Sequence, residues 1–341
     1  METSLPVGKL PPELLSQLIQ SAPTTGKRVV LGPGIGLDCA VLDLGETYLV
    51  FKSEPITFAT DEIGWYSVQI AANDIATTGA VPRWMLITLL LPEGKTTPEL
   101  VAEIGRQLFD TCRQMGILVI GGHTEITYGL DRPIANTTMI GEVSPEHLVT
   151  PQNARPGDRV LLTKGVPIEG TAIIARELAS RLADAFSSEE IKTAQDFLYE
   201  PGISVVRDAA IAISAGKVSA MHDPTEGGIA NALWELAVAS SSSLHVDLDA
   251  IPVPGLSARL CRHFSLDPLG TIASGALLLT APPEEAEKIL AAYRQAGVAC
   301  ADIGQVESGP ARVWYGKTTS PKELPQPRRD EIGKIFESPS S

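Results

Sequence analysis

Both halves of this chain alternate short apolar runs with stretches of helical period, the pattern of a mixed α/β architecture. Pro11-Pro12-Glu13-Leu14-Leu15-Ser16-Gln17-Leu18-Ile19 predicts a short helix with proline in its first turn. Cys39-Ala40-Val41-Leu42 and Thr47-Tyr48-Leu49-Val50-Phe51, joined by Asp43-Leu44-Gly45-Glu46, predict a hairpin. Ala71-Ala72-Asn73-Asp74-Ile75-Ala76-Thr77 reads as a helix, stopped by Gly79 and Pro82. A buried strand is expected over 84–91, and a helix over 97–115 with Leu100, Val101, Ile104, Leu108 and Cys112 on one face. Ile117-Leu118-Val119-Ile120 predicts a strand that ends in a loop, Gly121-Gly122-His123-Thr124-Glu125, and 135–143 another strand.

Residues 144–158 carry Pro145, Pro151, Pro156 and Gly157 and read as a connector. The expected division is therefore an N-terminal domain over 1–150, a C-terminal domain over 151–316 and an exposed tail over 317–341, with one docked turn near 332–336. The second domain opens with a strand, Arg159-Val160-Leu161-Leu162-Thr163, and a helix around Gly170-Thr171-Ala172. Strand order stays open at this level.

At 341 residues the chain fits about two domains, and 44% hydrophobic residues suffice for buried cores. The net charge of −14 argues against general nucleic-acid binding, which needs basic patches. No apolar run is long and uncharged enough to span a bilayer, and Met1-Glu2-Thr3-Ser4-Leu5-Pro6-Val7-Gly8 lacks the features of a secretory signal. Cys39, Cys112, Cys261 and Cys300 are widely spaced, as expected for reduced thiols in a cytoplasmic protein.

Four segments set an acid or a histidine among glycines and hydroxyls. Asp74 is a carboxylate on an otherwise small, apolar helix; it either caps something, pairs with something or binds a cation. Gly34-Ile35-Gly36-Leu37-Asp38 is either a tight turn with a capping Asp or an anion-approaching loop with a metal ligand; it lacks the Lys-Ser/Thr ending of a Walker loop. In Gly121-Gly122-His123-Thr124-Glu125, His123 is a hydrogen-bonded structural residue, a ligand, or an acid or base. In His222-Asp223-Pro224-Thr225-Glu226-Gly227-Gly228, Asp223 either caps the following helix or binds metal, and the glycine pair offers amides to an anion. Together the four suggest a magnesium–nucleotide site built from loops.

These same residues resemble the aminoimidazole-ribonucleotide (AIR) synthase superfamily over nearly the whole chain, to about Val306, and within it the hydrogenase-maturation carbamoyl dehydratase branch. Gly34-Ile35-Gly36-Leu37-Asp38-Cys39-Ala40-Val41-Leu42 is similar to the N-terminal metal loop. Asn73-Asp74 followed by Gly79-Ala80-Val81-Pro82 is similar to the superfamily's most specific motif. The resemblance implies an N-terminal domain that dimerises through a β-barrel, a C-terminal α/β domain, and ATP bound between domains and across the dimer. It implies Mg2+ on Asp38, Asp74 and Asp223, with Glu54 a further candidate ligand. Gly36, Asn73, Asp74, Gly121, Gly122, Thr124, Thr225 and Gly227 are the expected cofactor-binding residues, and His123 and Asp223 the expected catalytic ones.

The sequence departs from the family pattern at four places. Lys52-Ser53-Glu54 stands where the family has Thr-Thr-Asp, His123 where it has an acid, and Glu226 where the dehydratases have Arg. The dehydratases also end in a carbamoyl-carrying cysteine, whereas the last cysteine here is Cys300. The expectation is an ATP-dependent phosphoryl transfer to a small substrate or amide oxygen, distinct from true hydrogenase carbamoyl dehydration. The alternatives are a small-molecule kinase resembling thiamine-monophosphate kinase and a non-catalytic nucleotide-binding regulator with a protein partner.

Overall fold

The computed structural model describes residues 5, 10–24, 26–34, 36–57 and 61–336. Most of the segment Met1–Gly8, Ile35 of the glycine loop and the tail end 337–341 lie outside the described residues. In the first half, α1 (Pro12–Gln20) precedes β1 (Val29–Leu31), β2 (Ala40–Asp43) and β3 (Tyr48–Ile56). Then follow α2 (Ile63–Thr77), β4 (Val81–Pro92), α3 (Pro98–Met115), β5 (Leu118–Thr127) and β6 (Ile134–Val143). The six strands form one sheet in the order β1-β2-β3-β6-β4-β5, antiparallel except between β4 and β5. The expected β2–β3 hairpin forms, with Ala40 opposite Phe51 and Asp43 opposite Tyr48.

The second half opens with β7 (Arg159–Thr163) and α4 (Ile168–Glu177). Its remaining strands are β8 (Ala220–His222), β9 (Ser243–Val246), β10 (Leu278–Ala281), β11 (Cys300–Glu307), β12 (Arg312–Tyr315) and β13 (Lys322–Glu323). They lie in the order β13-β12-β9-β11-β7-β10-β8. The central strands β7 and β10 are continuous apolar runs buried on both faces by flanking helices. Each half thus has its own core, the arrangement of a two-domain α/β protein.

Two expectations need correction. Gly121–Glu125 do not form a loop beyond a strand; they continue β5, paired to β4 through to Thr127. Ile120 bulges out between Val119 and Gly121, and Gly122 then passes so close to β4 that a Cβ would lie 2.0 Å from the Ile87 carbonyl oxygen. Glycine is what lets the ladder continue there. The segment after 317 is mostly exposed, but it is pinned at more points than the single turn expected. β13 pairs with β12, Leu324 is buried, and the Trp234 indole donates to its carbonyl at 2.9 Å. The turn near the end is Gly333–Phe336, with Ile335 buried.

Helix α2 ties the halves together. Every residue but one is buried, because β3 and β6 lie under it, α3 runs along it and the second domain closes over its end. Gly64 permits the α3 contact, since a Cβ there would lie 2.6 Å from the Ile104 carbonyl oxygen. Its buried hydroxyls bond within the helix, Ser67 to the Gly64 carbonyl and Thr77 to that of Asp74. Asn73 reaches across to the other domain: its amide donates to the Ile203 carbonyl and accepts from the Val205 N–H, both at 2.8 Å. Lys164 holds the same segment from the opposite side, donating to the carbonyls of Gly202 and Ser204. Asn73→Ala strands two buried backbone groups and is expected to lower stability by about 2–4 kcal/mol. The check is a thermal melt; an unchanged midpoint would remove Asn73 from the inter-domain clamp.

Candidate functional site

Four pieces of chain converge at the carboxylate of Asp74. The first is the glycine loop before β2. Gly36 sits at φ +71° against the helix Gly228–Ser240, where a Cβ would lie 3.0 Å from the Glu235 carbonyl oxygen. This close approach sends the loop toward α2. The buried Cys39 thiol donates to the Asp74 carbonyl at 3.3 Å, which fixes the neighbouring Asp38 beside the helix.

The second piece is β3. Strand alternation puts Val50, Lys52 and Glu54 on one face, and Val50 is wholly buried. Lys52 and Glu54 therefore point inward. The Lys52 ammonium lies 3.2 Å from Asp74 Oδ2, 3.1 Å from Glu54 Oε2 and 4.0 Å from Asp38 Oδ1. Burial alone would push this ammonium down, but Asp74, Asp38 and Glu54 together hold it well above the ordinary lysine range.

The fourth piece, after α2 itself, is the end of β8. His222 is buried and bridges two acids, with Nδ1 3.0 Å from Asp38 Oδ2 and Nε2 2.7 Å from Glu235 Oε2. Burial opposes its charge, yet Asp38 and Glu235 raise it well above the usual histidine value. Asp223 comes next. It is 1% exposed, and among the described residues neither of its oxygens accepts a hydrogen bond from a neighbour. Burial and then the charge of Asp38 push its carboxyl up to about 7. Ligand atoms of Asp38, His222 and Asp223 lie within 4.8 Å of one another.

A buried carboxylate with both oxygens unpartnered, next to two more acids, is the donor set of a hard cation. His222 Nε2 is directed at Glu235, while its Nδ1, 3.0 Å from Asp38 Oδ2, makes no hydrogen bond among the described residues, so the ring lies beside Asp38 and Asp223 within reach of the same ion. The residues thus fit a divalent cation on the Asp223 side of the cluster, where Asp38 offers a second carboxylate. On the other side, Glu54 is the counter-ion of Lys52.

The expected site residues divide accordingly. Asp38, Glu54, Asp74 and Asp223 come together, with Gly36 close by. Asn73 adjoins them, with its amide committed to the domain clamp. Thr225 and Gly227 follow Asp223 at the start of the helix Gly228–Ser240. There the Thr225 carbonyl accepts from Gly228 N–H, and the Gly227 N–H donates to Asp330 Oδ2 at 2.6 Å. A carboxylate of this chain therefore occupies the helix N-terminus expected to meet an anion. Gly121, Gly122, His123 and Thr124 stand on β5, three strand spacings of about 4.8 Å from β3, so one chain does not bring them to the acids. His123 is exposed there and contacts Glu125 at 3.0 Å.

Sequence reasoning gave no role to Lys52, His222 or Glu235. Lys52 and Glu54 were visible as an i, i+2 pair extending the inward face of an apolar strand. His222 was visible only as the neighbour of Asp223, and Glu235 carried no signal, being one acid on a helix.

Comparison with known proteins agrees with the two-domain fold. Residues 36–143 match the AIR synthase related protein N-terminal domain, and residues 155–315 the C-terminal domain. The chain is 32% identical to the carbamoyl dehydratase HypE of Azotobacter vinelandii over 243 residues, 70% of this chain and 67% of the relative. It is 28% identical over 273 residues to a putative hydrogenase expression/formation protein of Methanocaldococcus jannaschii, 77% of each chain. Among solved structures it resembles the hydrogenase maturation protein HypE in complex with ATP, with a TM-score of 0.70 at 26% identity, over 87% of this chain and 90% of that one. A thiamine-monophosphate kinase from Aquifex aeolicus shares the fold, with a TM-score of 0.67 at 18% identity, over 89% of this chain and 94% of that one. The sequence matches, the two-domain fold and the acid cluster between the domains lead to one conclusion: this chain belongs to the AIR synthase related proteins, with HypE-like carbamoyl dehydratases among its relatives.

Proposed function

We propose that this protein is an ATP-dependent enzyme that transfers a phosphoryl group to an amide oxygen or another nucleophile of a small substrate. The observation that carries the reading is Asp223, a carboxylate sealed between two domains with both oxygens unpartnered. Such a group is costly unless a cation completes it. Mg2+ bound there would neutralise triphosphate charge and orient the reacting phosphate. The ATP complex of the HypE relative supports the choice of nucleotide.

Asp38, Asp74 and Asp223 hold the ion in this reading. His222 and Glu235 keep Asp38 in place, and Lys52 adds fixed positive charge. His123, Thr124 and the amides of Gly121 and Gly122 need a second copy of the chain to reach these acids. The exposed face of β5 supports such a dimer. It is a sheet edge carrying Leu118, Val119, Ile120 and Ile126, followed by Tyr128 at 82% exposure, and such edges are ordinarily covered. Pairing of two β5 strands would join the sheets and offer each His123 to the other copy's site as acid or base.

The positive charge at Lys52, the loss of an acid at His123 and the charge reversal at Glu226 support a substrate different from that of the HypE relatives. Among the described residues no helix is long and apolar enough to cross a membrane. We place the enzyme in the cytoplasm, which the buried free thiols Cys39, Cys112 and Cys261 support.

Asp223→Asn is expected to weaken magnesium–ATP binding tenfold or more by calorimetry, about 1.4 kcal/mol. Unchanged affinity would exclude Asp223 as a ligand. Light scattering at micromolar concentration should report a dimer, and Ile120→Glu with Ile126→Glu should convert it to monomer with loss of turnover. A wild-type monomer would contradict the shared site.

A further inference from the structure

Three acids that the sequence assigns to metal surround an ammonium instead. Lys52 Nζ touches carboxylates from α2, from its own strand and from the glycine loop, at 3.1–4.0 Å. Its backbone is fixed, with Lys52 paired to Met139 of β6 and Phe51 paired to Ala40 of β2. Its side chain is only 12% exposed, so the stem is enclosed and the head points into the cluster. A divalent ion ligated by Glu54 and Asp74 at about 2.0–2.1 Å would have to occupy the volume this ammonium fills. The opposite end of the cluster differs. Among the described residues, Asp223 has both oxygens without a hydrogen-bond partner, and the ion pairs of the lysines do not include it. The cluster therefore has one end filled by a side-chain cation and another end suited to a metal ion.

We propose that Lys52 is a built-in cation of this site: its ammonium takes a position that a divalent ion would otherwise hold between Glu54, Asp74 and Asp38, so the site carries one metal ion fewer than the same acids would hold without it. This rests on the reading of the cluster as a magnesium–nucleotide site. A fixed ammonium delivers one positive charge where a metal delivers two, and it cannot be chelated or exchanged. Lysine also donates hydrogen bonds to phosphate oxygens as a point charge. Lys52 would thus reach a bound phosphate directly, while the Asp223 end alone depends on added magnesium.

The test counts bound metal. The full-length protein, saturated with a non-hydrolysable methylene analogue of ATP, is titrated with Mn2+, and free Mn2+ is read by its electron paramagnetic resonance signal. Lys52→Thr should bind one more Mn2+ per protomer than wild type, and Lys52→Arg should bind the wild-type number. Lys52→Met keeps the stem and removes the charge, so it should also gain an ion; it serves if the threonine variant fails to fold by circular dichroism. Equal counts in wild type, threonine and methionine variants would overturn the built-in cation and leave the magnesium–ATP reading standing. Absence of bound Mn2+ in all of them would overturn both.

Discussion

The arrangement of this protein turns on a largely enclosed cationic side chain held by carboxylates from separate parts of the chain. Lys52 on β3 meets Asp74 on α2, and Asp38 passes the contact on to His222 in the other domain. Removing charges from water is costly, and deleting one member of a buried pair leaves the others uncompensated, typically at a cost of about 3–5 kcal/mol. The cluster therefore cannot tolerate sliding of loop, strand and helix past one another. It requires β3 to be in register, α2 to be docked and β8 to arrive with His222 and Asp223 adjacent. Networks of this kind sacrifice stability for position, and position is what the phosphoryl transfer proposed for this site would demand.

The helix that carries Asp74 is also the one that fixes the two domains. One residue earlier, Asn73 grips the backbone of 203–205, and Lys164 grips it from the far side. Any rotation of the second domain about this clamp would move Asp223 relative to Asp74. Domain packing and the geometry of the acids are thus one constraint, which explains why a helix so enclosed keeps two polar residues side by side near its end.

Much of this was legible in the sequence, for physical reasons. The hairpin and the strands were readable because period-two alternation and turn residues are local signals, and β7 over 159–163 matches its expected bounds. Asp38, Asp74 and Asp223 stood out because an acid among small apolar residues demands a partner. Lys52 was harder. It registered as a departure from a family pattern, and only three-dimensional proximity showed its ammonium amid the candidate metal ligands. The glycine pair at 121–122 misled, because glycine serves a turn and a bulged strand equally well; the deciding contact, with Ile87, is about 35 residues away in the chain and invisible to a local reading. Gly227 was ambiguous in the same way, since its anion partner proved to be Asp330 from the tail.

The shared dependence of fold and chemistry on the acid cluster is tested most directly by a crystal structure with Mn2+ and a non-hydrolysable ATP analogue, with data at the manganese absorption edge. The predicted result is an anomalous peak beside Asp223, with the Lys52 ammonium still between Glu54 and Asp74. A peak at the position of that ammonium with the side chain swung away, or the absence of any peak near Asp223, would contradict the account.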